Sequence, residues 1–208
     1  MSEFTYEREN TNNALETYEW DNVWWDHAPD LTTPRVLAIG DSISCGWRHV
    51  LTAKFEGKAW GDGFGTSKAV DNPYFFDSVC LFAKQMPHQQ TVLFNNGLHG
   101  FHLSTAEYRE NYEQLIVKLL KEFPQSRFFI VLTTPARRTD DLTQFDARTE
   151  LVKARNAAAI EIAEKYALPV IDLFTPLASA PELFSHDGVH LNADGYGLLA
   201  DIIKAAIA

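Results

Sequence analysis

Four short apolar runs constrain most what this chain can fold into: "RVLAIG" (35–40), "TVLFNN" (91–96), "RFFIVLTT" (127–134) and "LPVIDLF" (168–174). A strand with one wet face alternates apolar and polar residues; these do not, so both of their faces are expected to be covered. Helical patterns lie between them. In 105–123, Tyr108, Tyr112, Leu115, Ile116, Leu119, Leu120 and Phe123 recur at three- and four-residue steps, forming one apolar stripe. Ser104 or Thr105 with Glu107 suits the start of that helix, and Pro124 stops it. The alanine-rich stretch 147–166 and the segment 193–207 read the same way, with Asn192 as an N-cap for the latter. Strands alternating with helices predict right-handed crossovers and an α/β fold, a parallel sheet of about five strands with helices on both faces. The glycine-rich stretch 55–75 reads as loops, with a short strand near 58–61.

With 208 residues, 46% of them hydrophobic, the chain can bury the core of one domain. We place that domain at 34–208. Residues 1–33, polar and then rich in tryptophan (Trp20, Trp24, Trp25), are expected to form an N-terminal arm packed on it, or an aromatic wall beside a substrate site. The net charge of −10 comes without a basic cluster, which argues against nucleic acid and anionic membrane as partners. No apolar run approaches the ~20 residues of a membrane span. The start, "MSEFTYERENTNNALE", has no apolar signal region, so a cytoplasmic location is expected. Cys45 and Cys80 are too few for a disulfide scaffold and read as buried thiols.

In a parallel α/β sheet, ligands gather outside the carboxyl ends of the strands. The first run ends on Gly40, Asp41 and Ser42, the second on Asn95, Asn96, Gly97, Leu98 and His99. Thr133, Thr134, Arg137 and Arg138 follow the third, and "SHDGVHLNADGY" (185–196) precedes the last helix. A serine hydroxyl is a weak nucleophile at neutral pH and needs a base, which itself needs an orienting partner. Asp187 and His190, three residues apart, let the carboxylate reach the near ring nitrogen while the far one faces outward. The Ser42 backbone N–H, with Asn96 or His99, can serve a developing oxyanion. His99, His102, His186 and His190 also invite a metal reading, but no His-x-x-x-His or cysteine pair supports it, and no metal or other cofactor is expected. Arg137 and Arg138 are either a solvated pair or a clamp for a substrate carboxylate or phosphate. Asp41 is expected to fix its loop by accepting backbone N–H groups.

"GDSI" (40–43) and "DGVH" (187–190) resemble the first and last blocks of the SGNH, or GDSL, hydrolase superfamily, in order and spacing over residues 35 to 207. The resemblance implies a flavodoxin-like three-layer α/β/α sandwich and ester hydrolysis through an acyl-serine, with Ser42 as nucleophile, His190 as base and Asp187 as its orienting acid. The family's third block is usually Gly-x-Asn-Asp. Here Gly97-Leu98-His99-Gly100 puts His99 at the asparagine position, and "NNGLHG" is similar to a variant found in a subset of the family. For the second block, Gly65 or a backbone N–H within 67–70 is the candidate donor. The variant points to a small-molecule or carbohydrate ester, most of all an O-acetyl ester, with Trp47 or Phe101 closing a short acyl pocket. The rival readings are a lipase or thioesterase on longer chains and a glycan-binding protein on the same fold. A flavodoxin-like cofactor binder would need a phosphate-cradling loop after the first strand, and "GDSISCGW" is not one.

Overall fold

Leu37 and Ile39 project to one side of their strand and Val36 and Ala38 to the other, and all four are buried, in two separate hydrophobic clusters. That double coverage makes the run continuous in the sequence. The computed structural model describes residues 19–86 and 89–208. In chain order the strands are β1 (Asp21–Trp24), β2 (Arg35–Gly40), β3 (Trp60–Thr66), β4 (Gln89–Phe94), β5 (Arg127–Val131) and β6 (Val170–Ile171). The helices are α1 (Ser42–Lys54), α2 (Phe75–Ala83), α3 (Thr105–Glu122), α4 (Arg148–Lys165), α5 (Phe174–Ala178) and α6 (Ala193–Ile207), with a 3₁₀ turn at Pro181–Leu183.

The six-stranded sheet runs β1-β3-β2-β4-β5-β6. β2 to β6 are mutually parallel, as the sequence predicts, and β1 pairs antiparallel with β3. α2, α3 and α4 cover one face through Phe75, Val79, Tyr108, Tyr112, Leu119 and Ile162. α1, α5 and α6 cover the other through Ile43, Trp47, Leu51, Leu177, Leu199 and Ile203. The result is a three-layer α/β/α sandwich. Ser104 caps α3 in a reciprocal box: its Oγ accepts from Glu107 N–H, and the Glu107 carboxylate accepts from Ser104 N–H.

The stretch 55–75 departs from expectation. β3 is longer and later than the short strand anticipated near 58–61, because its glycines face α1. A β-carbon on Gly61, Gly63 or Gly65 would lie 2.4 Å from Thr52 Oγ1, 2.4 Å from Arg48 Cδ and 2.2 Å from Cys45 Sγ, respectively. Alternate glycines thus give a smooth strand face on which successive turns of the helix rest. At the other end, "LPVIDLF" yields only two strand residues, because the Asp172 carboxylate turns the chain by accepting from Phe174 and Thr175 N–H. Trp47 is 2% exposed and packs in the core cluster shared with α6.

Of the expected arm, residues 1–18 lie outside the described residues. Residues 21–24 form β1. Trp25 stacks on Phe82 at 3.9 Å, and Trp24 lies exposed over the Arg48 guanidinium. Among the described residues no helix is long and apolar enough to cross a membrane.

Candidate active site

β2 lies between β3 and β4, so the chain leaves it in opposite directions on its two sides. Such a switch point opens a crevice at the strands' carboxyl ends. Ser42 opens α1 there. Asp41 is its N-cap, and the Asp41 carboxylate accepts from Ile43 N–H at 2.9 Å. That fixes the turn presenting Ser42, as expected from a loop aspartate. Asp41 is fully buried, and the loss of solvent raises its pKa, against the pull of the nearby His99 and His190 imidazoles.

The loop before α6 brings in the other two side chains. His190 Nε2 lies 2.8 Å from Ser42 Oγ, and His190 Nδ1 lies 2.7 Å from Asp187 Oδ2. The other Asp187 oxygen accepts from Val189 N–H and His190 N–H, each at 2.9 Å, and from Ser185 Oγ at 3.0 Å. Partial burial works against the charged form of Asp187. Those bonds, with the one from the His190 ring, outweigh it and hold the carboxyl well below the usual carboxylate range. Ser185 also closes the turn, since its N–H donates to His190 O at 2.8 Å. Sequence reading passed over Ser185, although Ser-x-Asp in a turn is a recognisable bracing pattern.

The loop after β4 lines the crevice from the other side. Asn95 is spent inward, its amide donating to Val131 O and Thr133 Oγ1. Asn96 is buried, donates to Lys68 O at 2.9 Å and accepts on its own carbonyl from the Tyr108 hydroxyl. Gly97 gives its carbonyl to Arg155. His99 is half-buried, with Trp20 edge-on to its ring at 6.3 Å. Of the three arm tryptophans, only Trp20 is brought to this rim. It is held by a Trp20 N–H bond to Ser67 Oγ and a Ser67 N–H bond to Trp20 O. Gly65 lies inside β3, opposite Asn22 on one side and Gly40 on the other, with the Cys45 thiol over it.

The four histidines do not converge on one point. His102 binds Asp71 at 2.8 Å, His190 bridges Asp187 and Ser42, His99 stands by Trp20, and His186 is exposed. Among the described residues no group of three or more His, Cys, Asp or Glu side chains is disposed to hold a metal ion. Arg137 is buried and donates to the carbonyls of Leu142, Thr143, Leu177 and Ala178, while Arg138 pairs with Asp140 in solvent. The substrate-clamp reading of this pair therefore falls away. Arg155, buried in the middle of α4, went unnoticed in the sequence.

The architecture is shared with known proteins. An acetyl xylan esterase superposes with a TM-score of 0.67 at 18% identity, over 84% of this chain and 100% of that one. A GDSL-like lipase from Bacteroides thetaiotaomicron gives 0.64 at 19% identity, over 97% and 96% of the two chains. The lipase/acylhydrolase from Enterococcus faecalis gives 0.65 at 20%, over 84% and 95%. At these identities the likeness speaks to the fold. A search of curated proteins gives no significant match. The GDSL-like lipase/acylhydrolase family matches residues 94–198, half of the chain, a span that begins beyond Ser42 and includes the Asn95–His99 loop, Asp187 and His190. The chain belongs to the GDSL-like lipase/acylhydrolase family.

Proposed function

We propose that the protein is a serine ester hydrolase working through an acyl-serine intermediate, with short-chain or carbohydrate O-acetyl esters as substrates. The observation that carries the reading is the unbroken hydrogen-bonded chain Asp187–His190–Ser42 at 2.7 and 2.8 Å. In this scheme His190 Nε2 takes the Ser42 proton as Oγ attacks the ester carbonyl. Asp187, kept ionised, holds the ring's other N–H and favours the imidazolium. The tetrahedral intermediate collapses as His190 gives the proton to the leaving alcohol, and water then repeats the sequence on the acyl-serine.

For the oxyanion we assign the Ser42 N–H, at the N-terminal end of α1, and the His99 ring. Asn96 serves better as a brace than as a donor, since it is 2% exposed and its amide is anchored to Lys68 O. Gly65 is set aside because strands flank it on both sides. Trp20 is read as one wall of the substrate cleft, beside His99. The acetyl preference draws on "NNGLHG" and on the likeness to an acetyl xylan esterase.

The test is a p-nitrophenyl ester series from acetate upward, alongside an acetylated xylo-oligosaccharide, with wild type and Ser42→Ala. The expected result is a rate that falls with acyl length, release of acetate from the sugar ester, and a loss of roughly 10⁴-fold or more in Ser42→Ala. Equal rates in the two proteins overturn the nucleophile, and a rate that rises toward long chains overturns the acetyl assignment.

A further inference from the structure

Arg155 is 0% exposed, and among the described residues its hydrogen-bond partners are not carboxylates but three carbonyl oxygens of one loop. Nη1 donates to Gly97 O at 3.0 Å and to His99 O at 2.7 Å, and Nη2 donates to Gly100 O at 2.6 Å. The Tyr108 and Phe101 rings stand against the guanidinium at 4.6 and 5.1 Å. A buried cation is costly, and a chain that merely needed to fill this space had apolar choices. A planar fork does something that an ammonium or an apolar side chain cannot: it fixes several acceptors at once in direction as well as distance.

A peptide group is planar, with its C=O and N–H pointing opposite ways. Directing the carbonyls of Gly97, His99 and Gly100 at one fork therefore sets the planes of three peptides around His99. The flanks of the loop are tied as well. Asn96 reaches Lys68 O at 2.9 Å, and His102 reaches Asp71 at 2.8 Å. Between those ties, the backbone that carries the His99 ring is held by Arg155. His99 follows β4, the parallel neighbour of β2, which delivers Ser42, so the two residues leave the carboxyl ends of adjacent strands.

We propose that Arg155 is a positioning residue for the ester hydrolysis: its guanidinium clamps the Gly97–Gly100 carbonyls and thereby holds the His99 imidazole at the oxyanion side of Ser42. This rests on the reading of His99 as an oxyanion donor. A misplacement of about 1 Å in such a group costs on the order of 10²-fold in rate, so the clamp is felt in kcat. The nucleophile, the base and the bound ester's remaining contacts are left in place, so KM moves little.

The experiment is a cycle in which Arg155→Lys and Arg155→Gln are each made in wild type and in His99→Ala, with kcat and KM on p-nitrophenyl acetate. Near-ultraviolet circular dichroism gives the folded fraction by which rates are normalised. Arg155→Lys keeps the cation without the fork and serves if Arg155→Gln does not fold. The expected result is a kcat loss of roughly 10–100-fold for Arg155→Lys in wild type, with KM within about threefold. In His99→Ala, already slowed about 10²-fold, the same change costs less than about threefold. Millimolar guanidinium partly restores Arg155→Gln but not its His99→Ala counterpart. Equal losses in both backgrounds, or a wild-type kcat in Arg155→Lys, overturn the clamp and leave the His99 assignment standing. An unchanged kcat in His99→Ala overturns the His99 assignment and the clamp with it.

Discussion

Gly188 and Arg137 meet through their backbones: Arg137 N–H donates to Gly188 O at 2.7 Å, and a β-carbon on Gly188 would lie 2.1 Å from Arg137 O. Gly188 also has φ +71°, in the left-handed region. The glycine of "DGVH" is therefore needed twice over, for the turn and for the contact. The Arg137 backbone has little freedom to retreat, because its guanidinium is committed to carbonyls at Leu142, Leu177 and Ala178.

Gly188→Ala is thus expected to destabilise the protein by about 2–4 kcal/mol, read as a Tm drop of roughly 5–10 °C, and to lower the proposed ester hydrolysis by displacing Asp187 and His190. Gly197→Ala is the control. Nothing lies within 4 Å of a β-carbon there, and it sits inside α6, so it is expected to hold or raise Tm. A Gly188→Ala protein with unchanged Tm and activity contradicts this account of the turn.

Asp187 carries a pH signature. Its pKa in the folded protein lies below that of the unfolded chain, so it contributes stability that is present above about pH 4 and is lost as pH falls through the lower, folded value. The denaturation midpoint of Asp187→Asn is expected to lie below that of wild type at pH 7 and to converge on it under acid conditions. Carboxyl ¹³C shifts read the same group directly. At pH 4 Asp187 is expected to remain ionised, and a titration midpoint near 4 is the result that removes the claim.

The parts of this molecule visible in its sequence are those in which residue type carries the signal. β2, β4 and β5 are readable because coverage on both faces demands continuous apolar runs. The start of α3 is readable because Ser104 and Glu107 cap each other through side chains. Ser42, Asp187 and His190 stand out because a hydroxyl, a carboxylate and an imidazole occur at strand ends. Arg155 and Arg137 do not stand out, because their partners are backbone carbonyls, which every residue type offers alike. Arg137 and Arg138 are adjacent and chemically equal, yet one is buried and the other paired in solvent.

Most of β3, beyond the short strand expected near 58–61, is hidden for the opposite reason. Glycine is a poor strand former by propensity, and "WGDGFGT" reads as loop until the helix lying over it is known. That explanation makes its own prediction at Gly65. The atom that blocks a β-carbon there is Cys45 Sγ at 2.2 Å, and the next nearest, Asp41 O and the Trp20 ring, are at 3.5 Å, an ordinary contact. Gly65→Ala alone must push α1 outward at Cys45, one turn from Ser42, and is expected to cost about 1–3 kcal/mol together with activity. Cys45→Ala removes the obstructing sulfur. The double variant Gly65→Ala/Cys45→Ala is therefore expected to recover most of what Gly65→Ala loses, in both Tm and kcat. Measuring all four proteins gives the coupling between the two positions directly. If the double variant is as impaired as the sum of the singles, the strand's glycines serve some purpose other than seating the helix.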